Sequence, residues 1–211
     1  TDCYPMEFGS HRGGWLQAAH RYRKWALGQK WAAAGPLAGR RDFPELVTKL
    51  GVWILDHWVW NGAQGSPAEM DAPLIEAQAR LGVPVGIHWH NWHQVPFDNL
   101  YPHFFPERPG FPERVKELVR RNVLVMPYIN GLSVDFNIPD FESFAPYAMR
   151  DEAGGFRMNH YGENAGRLLS MCPTQEKWHD TVTGLVEKLT GECGVNGVYL
   201  DQISGMHQEL C

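Results

Sequence analysis

Four short apolar runs divide this chain, and each stops at polar or ionisable residues. Val52-Trp53-Ile54-Leu55 precedes Asp56, Pro84-Val85-Gly86-Ile87 precedes His88, and Gly197-Val198-Tyr199-Leu200 precedes Asp201. Val123-Leu124-Val125-Met126 leads into Pro127-Tyr128-Ile129-Asn130. Runs of this length without polar alternation suit strands buried on both faces, as in a parallel sheet covered by helices. Segments of helical period separate them. Ser66-Pro67-Ala68-Glu69 opens a helix to about Leu81, with Gly82 as its cap and Pro73 marking a kink or a later start. A second helix begins at Pro112 and places Val115, Leu118 and Val119 on one side. A third follows Thr174 as N-cap and carries the stripe Trp178, Val182, Leu185, Val186, Leu189.

Strands alternating with helices predict right-handed crossovers and parallel pairing. The turn after the first run, Asn61-Gly62-Ala63-Gln64-Gly65, is not the glycine fingerprint of a dinucleotide-binding sheet. A complete (β/α)8 barrel takes about 250 residues, and four strands in 211 is about half of one. The expectation is therefore an α/β chain forming the N-terminal half of a (β/α)8 TIM barrel, with about four parallel strands, preceded by a helix. Residues 1–13 are expected to be the tail of an upstream domain. Residues 14–50 form a linker helix and turn, with Trp15, Ala18, Ala19, Tyr22 and Ala26 on one stripe up to about Trp31. Residues 51–211 are the first half of the barrel, ending after strand four. A half barrel leaves strand edges unpaired, so this stretch alone is expected to be unstable or aggregation-prone.

Composition narrows the partners. A formal charge of −5 disfavours nucleic acid, which rewards a basic face. Arg21-Tyr22-Arg23-Lys24 and Arg40-Arg41 are short basic clusters that suit a solvated surface. No apolar run approaches the length of a membrane span. Cys3, Cys172, Cys193 and Cys211 show no metal-binding spacing. Nine Trp residues are many for this length, and Trp58, Trp60, Trp89 and Trp92 stand near strand ends. Trp usually packs in a core, yet a flat ring with one polar handle also suits the faces of a sugar.

In a barrel, chemistry gathers at the C-terminal strand ends. Those ends offer Asp56, His57 and Asn61, then His88, His90 and Asn91, then Tyr128 and Asn130, and finally Asp201 and Gln202. Asp201, directly after a buried run, is the strongest catalytic candidate; the bland alternative is a strand-end Asp holding a turn. Asp56 fits a structural hydrogen bond or a substrate hydroxyl equally well. His88 and His90 point the same way on a strand and suit either hydrogen bonding or a metal pair, although no further ligand motif supports a metal. Asp135, Asp140, Glu142 and Asp151 lie in a long connection, Gly131 to Pro173, where solvated loop charge is the plain expectation.

Three segments carry a family likeness. They are Tyr22-Arg23-Lys24-Trp25-Ala26 with Gln29-Lys30-Trp31 and Gly35-Pro36-Leu37, Met171-Cys172-Pro173 with Trp178, and Gly197-Val198-Tyr199-Leu200-Asp201-Gln202-Ile203. Together they resemble a family of glycoside-hydrolase-like barrel proteins, similar more distantly to the retaining α-galactosidase and α-glucosidase barrels. The resemblance implies a β-sandwich upstream, of which residues 1–10 would be the last strand, and a nucleophilic aspartate at the end of strand four, matched by Asp201. It also implies an acid/base on a later strand outside this chain, so the piece alone is expected to be inactive. Asp56, Trp58, His88, Trp89, His90, Tyr128, Asn130 and Gln202 would contact a carbohydrate substrate, with no cofactor and no metal. The rivals are a metal-dependent barrel hydrolase using His88 and His90, and a non-catalytic carbohydrate-binding barrel.

Overall fold

The computed structural model describes residues 8–56, 67–156, 158, 159, 161 and 166–203. The chain divides into two units, Thr1–Thr48 and Lys49–Cys211. In the first, helix α1 spans Trp15–Ala26 and is followed by 3-10 turns at Lys30–Ala32 and Leu37–Gly39. The helix stops short of Trp31. Leu27 and Gly28 donate back to Arg23 and Trp25, and the ring of Trp31 then lies edge-on to Trp25 with centroids 5.5 Å apart. The short helix α2, Glu45–Lys49, crosses the division.

The second unit is built on β1 (Val52–Asp56), α3 (Pro67–Leu81), β2 (Val85–Trp89), α4 (Phe111–Arg120) and β3 (Leu124–Asn130), closing with α5 (Glu176–Gly191) and β7 (Tyr199–Asp201). The strands pair in parallel in the order β1-β2-β3-β7. This mixed α/β sheet is the alternation expected from the apolar runs. Pro73 lies inside α3 and neither ends nor delays it, whereas Gly82, at φ 66°, stops the helix as expected. Asn122 serves α4 in the same way. It adopts φ 59°, its N–H bonds Val119, and the next N–H, on Val123, reaches back to Leu118. Thr174 is not the cap of α5. Gln175 holds that position, and the Thr174 hydroxyl lies 3.0 Å from Cys172 Sγ instead.

The core lies between the sheet and its helices. Val85, Ile87 and Trp89 of β2 meet Leu74 of α3 and Phe111, Val115 and Leu118 of α4, while Val182, Leu185, Val186 and Leu189 of α5 cover the β3 end. The β3–β7 pairing covers Tyr199–Asp201, and ahead of it Asn196 ties the chain to the start of β3. Its side-chain amide accepts from Val125 N at 2.7 Å and donates to Val123 O at 3.0 Å.

The connection between β3 and α5 is not a plain loop. It contains β4 (Ser133–Asp135), β5 (Met158–Asn159) and β6 (Leu168–Ser170), paired antiparallel in the order β4-β6-β5. A second cluster, with Val134, Ile138, Phe141, Phe144, Leu169 and Met171, packs this sheet against Trp178 of α5. Asp135 is accordingly buried, which corrects its reading as solvated loop charge.

Candidate active site

Register decides which residues share a face. Leu55 pairs with His88 and His88 with Met126, while Tyr128 pairs with Tyr199 and Asn130 with Asp201. Because side chains alternate, one face of the sheet carries Trp53, Leu55, His88, Met126, Tyr128, Asn130, Tyr199 and Asp201. The helices cover the other face. On the first face Trp53 and Leu55 are each 51% exposed, and a concavity of 430 Å³ lies between Trp53, Leu55, His88, Met126 and Tyr199. Gly86 and Gly197 make room there: a Cβ would strike the Trp53 ring at 2.9 Å on Gly86 and Met126 Cγ at 2.6 Å on Gly197. An apolar floor therefore rises to polar groups at the carboxyl ends of the strands.

At that end the rings form a stack. His88 lies 3.8 Å from Tyr199 and 4.2 Å from His90 between centroids, and His90 stacks on Tyr128 at 5.1 Å. His90 Nδ1 is fixed by the Asp56 carbonyl at 2.6 Å. Asn130 organises the next turn. Its side-chain Oδ1 accepts from Leu132 N and Ser133 N at 2.9 and 2.8 Å, and its Nδ2 donates to Tyr128 Oη and Gln202 Oε1, both at 3.3 Å. Gln202, at φ 59°, also accepts from Tyr161 Oη at 3.3 Å. The backbone of Asp201 is tied to β3 by Gly131 N at 2.9 Å.

Two expected sugar contacts are placed elsewhere. Trp89 is 1% exposed, and its ring meets Phe111 edge-on at 5.2 Å on the helix side, so it presents no open face. Asp56 also belongs to the helix-facing set. Its carboxylate accepts from Asn91 N at 3.1 Å and Asn91 Nδ2 at 3.4 Å, so it positions the start of the β2 loop. Trp58 lies outside the described residues, as do His57 and Asn61.

One carboxyl was missed by sequence reasoning. Asp98, in the loop between β2 and α4, has its pKa raised to about 6, chiefly by burial, with the charge of Asp201 adding to the rise and the Tyr101 hydroxyl opposing it. Tyr128 responds to the same two carboxyls: burial and then the charge of Asp201 push its hydroxyl well above the usual tyrosine range, with Asp98 contributing less. Asp98, Tyr128 and Asp201 thus share one electrostatic neighbourhood. The available signal was weak: a single Asp within a Pro- and aromatic-rich loop after a strand end.

A raised folded-state pKa has a definite sign. Asp98 favours folding below its unfolded pKa of about 3.9, and that contribution is lost as pH rises through about 6. His93, buried in the same loop, has its pKa lowered to about 4 by desolvation and works in the opposite direction. The expected result is that Asp98→Asn removes the falling component: relative to the unmodified protein it gains about 2 kcal/mol as pH goes from 4 to 7. Parallel urea titrations across that range check it. A constant stability difference would contradict the placement of Asp98.

With the geometry in hand, comparison places the chain. A family model matches residues 2–211. The chain belongs to that family, described as Domain of unknown function (DUF6259). Two relatives carry the name "Putative glycoside hydrolase". The one from Monosiga brevicollis is 30% identical over 97% of this chain, and the one from Bacteroides thetaiotaomicron is 29% identical over 99%. This DUF6259 chain spans 19% and 30% of their lengths, respectively. Among solved structures, the α-N-acetylgalactosaminidase NagBb of Bifidobacterium bifidum, in its complex with Gal-NHAc-DNJ, matches with a TM-score of 0.65 at 17% identity. The match covers 87% of this chain and 32% of that one. The α-galactosidase of Thermus thermophilus matches at TM-score 0.52 and 15% identity, over 71% of this chain and 30% of its own. The DUF6259 fold thus resembles glycosidase barrel domains, in line with the likeness drawn from the three sequence segments.

Among the described residues, no group of three or more His, Cys, Asp or Glu side chains is arranged to hold a metal ion. Of the pair considered for a metal, His90 has its Nδ1 held by the Asp56 carbonyl. Among the described residues no helix is long and apolar enough to cross a membrane.

Proposed function

We propose that this chain forms the first half of a (β/α)8 barrel in a glycoside hydrolase, with Asp201 as the nucleophile at the end of the fourth barrel strand. The supporting observation is the position of Asp201. It shares with His88, Tyr128 and Tyr199 the face of the parallel sheet opposite the helices, at the carboxyl ends of the strands, where barrel enzymes place their chemistry. The exposed floor of Trp53, Leu55 and Tyr199 is what the interior of a barrel looks like when the remaining strands do not stand over it.

In this mechanism one Asp201 oxygen bonds to the anomeric carbon as the glycosidic C–O bond breaks, and an acid/base carboxyl from outside the described residues protonates the leaving oxygen. Water then attacks the glycosyl-enzyme, returns its proton to that base and frees Asp201. His88 faces the sugar site, the buried His90, Tyr128 and Asn130 form the wall behind it, and Gln202 holds the turn beside it. Asp98 presents a second carboxyl to substrate hydroxyls, and its raised pKa spares Asp201 a neighbouring full charge at mildly acidic pH.

The full-length protein is expected to release p-nitrophenol from one or more p-nitrophenyl α-glycosides with saturation kinetics. Saturable binding of those sugars without release would favour the non-catalytic barrel. Hydrolysis abolished by a chelator and restored by a transition metal would favour the His88/His90 metal site.

A further inference from the structure

The loop that carries Asp98 is held in a shape its sequence does not favour. Asp98 and Leu100 both take positive φ, 56° and 55°, a left-handed conformation that costs energy for residues with a Cβ. The restraint comes from the antiparallel sheet inserted after β3. Asp135 of β4 accepts Leu100 N through Oδ2 at 2.8 Å. Its Oδ1 accepts Asn137 N at 2.9 Å and Asn137 Nδ2 at 3.0 Å, and its own N–H donates to Tyr101 O at 2.9 Å. Gly166 closes the other side by donating its N–H to the Asp98 carbonyl at 2.6 Å. A Cβ on Gly166 would overlap Asp135 Oδ2 and stand 2.9 Å from the Asp98 carbonyl oxygen.

We propose that Asp135 is a positioning residue: with Gly166 it clamps the β2 loop at Leu100 so that the Asp98 carboxyl is held against the Tyr101 hydroxyl, 3.3 Å away, beside the sugar site. This rests on the assignment of that site above. Asp135 is 1% exposed, and a buried carboxyl is costly unless its acceptors are filled. Here both oxygens are used, one on the inserted sheet and one on the loop. What the two left-handed residues gain is a place for Asp98 among three groups: the Tyr101 hydroxyl, which accepts from Asp98 N at 3.0 Å, and Tyr128 and Asp201, whose influence it shares. The inserted sheet is thereby coupled to the active site through one side chain.

The test reads the Asp98 carboxyl directly. In the full-length protein labelled with ¹³C-aspartate, the Asp98 Cγ resonance is followed against pH in the unmodified protein, in Asp135→Asn and in Gly166→Ala. Asparagine replaces one acceptor with a donor, which must then face either Leu100 N or Asn137 N. With the clamp released, Asp98 gains solvent and its midpoint is expected to fall from about 6 by about one unit or more toward the ordinary carboxyl range. Gly166→Ala, which crowds the same carboxyl from the other side, is expected to move it too. A stability loss with the midpoint unmoved would overturn the proposal by assigning Asp135 to the fold alone, as would loss of cooperative unfolding in both variants. The midpoint is read without substrate, so a protein that fails to hydrolyse glycosides would sink the sugar-cleaving mechanism while leaving this result legible.

Discussion

Asp201→Asn in the full-length protein is expected to lower glycoside hydrolysis by about four orders of magnitude while leaving its thermal unfolding nearly unchanged. The size follows from the role. A nucleophile supplies the bond made to the anomeric carbon, and an amide at the same position cannot form it. The small structural effect follows from placement: the backbone of Asp201 holds β7 to β3 through Gly131, and Asn keeps that backbone. Asp201→Ala adds a discriminating arm, because azide should enter the vacated space and restore part of the turnover of an aryl glycoside as a glycosyl azide. A hydroxyl-binding aspartate would show no such rescue. Retention of the original rate by Asp201→Asn would remove Asp201 from catalysis altogether.

The largest expected loss of stability is at Trp92. Its indole is fully buried, lies against Phe104, Phe105 and Phe111 at 6.0, 5.3 and 5.6 Å between centroids, and donates from Nε1 to the Tyr128 carbonyl at 2.7 Å. Trp92→Ala should cost about 3–5 kcal/mol, a large share of the about 5–15 kcal/mol that holds a typical domain folded. Trp92→Phe keeps most of the packing and leaves the Tyr128 carbonyl without its donor, so about 1–3 kcal/mol is expected. Denaturant midpoints of the two variants separate the terms. Equal losses would mean that the hydrogen bond, not the ring, carries the effect. Because Tyr128 belongs to the proposed sugar site, both variants are also expected to weaken sugar binding.

The parallel sheet was legible because its strands are apolar runs that need no alternation, and because the helical stripes of α4 and α5 match the faces they bury. Trp178, Val182, Leu185, Val186 and Leu189 all meet a core, as their spacing predicts. Of the inserted sheet only β6 was legible, because Leu168-Leu169-Ser170-Met171 is a short strand-like run in the sequence. Its other strands are two and three residues long, too short for a period to show. The site was partly legible for a related reason. Alternation along a strand puts Asp201 with Tyr199 and His88 with His90, but it cannot tell which face the helices will cover until the register is known. Trp89 and Asp56 fell on the covered face for that reason. What Asp98 and Asp135 do was not legible. Their roles depend on a loop and a short strand far apart in sequence being brought into hydrogen-bond contact.

Trp178 belongs to the wall of the inserted sheet, and its indole N–H reaches the carbonyl of Gly131, the residue that follows β3, at 2.8 Å. One helical turn on, Val182 packs against both clusters. The cluster of the insertion therefore shares a wall with the main core. Opening the insertion strips one side of the helix that the parallel sheet needs on the other, so in hydrogen exchange the amides of the two sheets are expected to open together, and those of the loop bearing Asp98 with them.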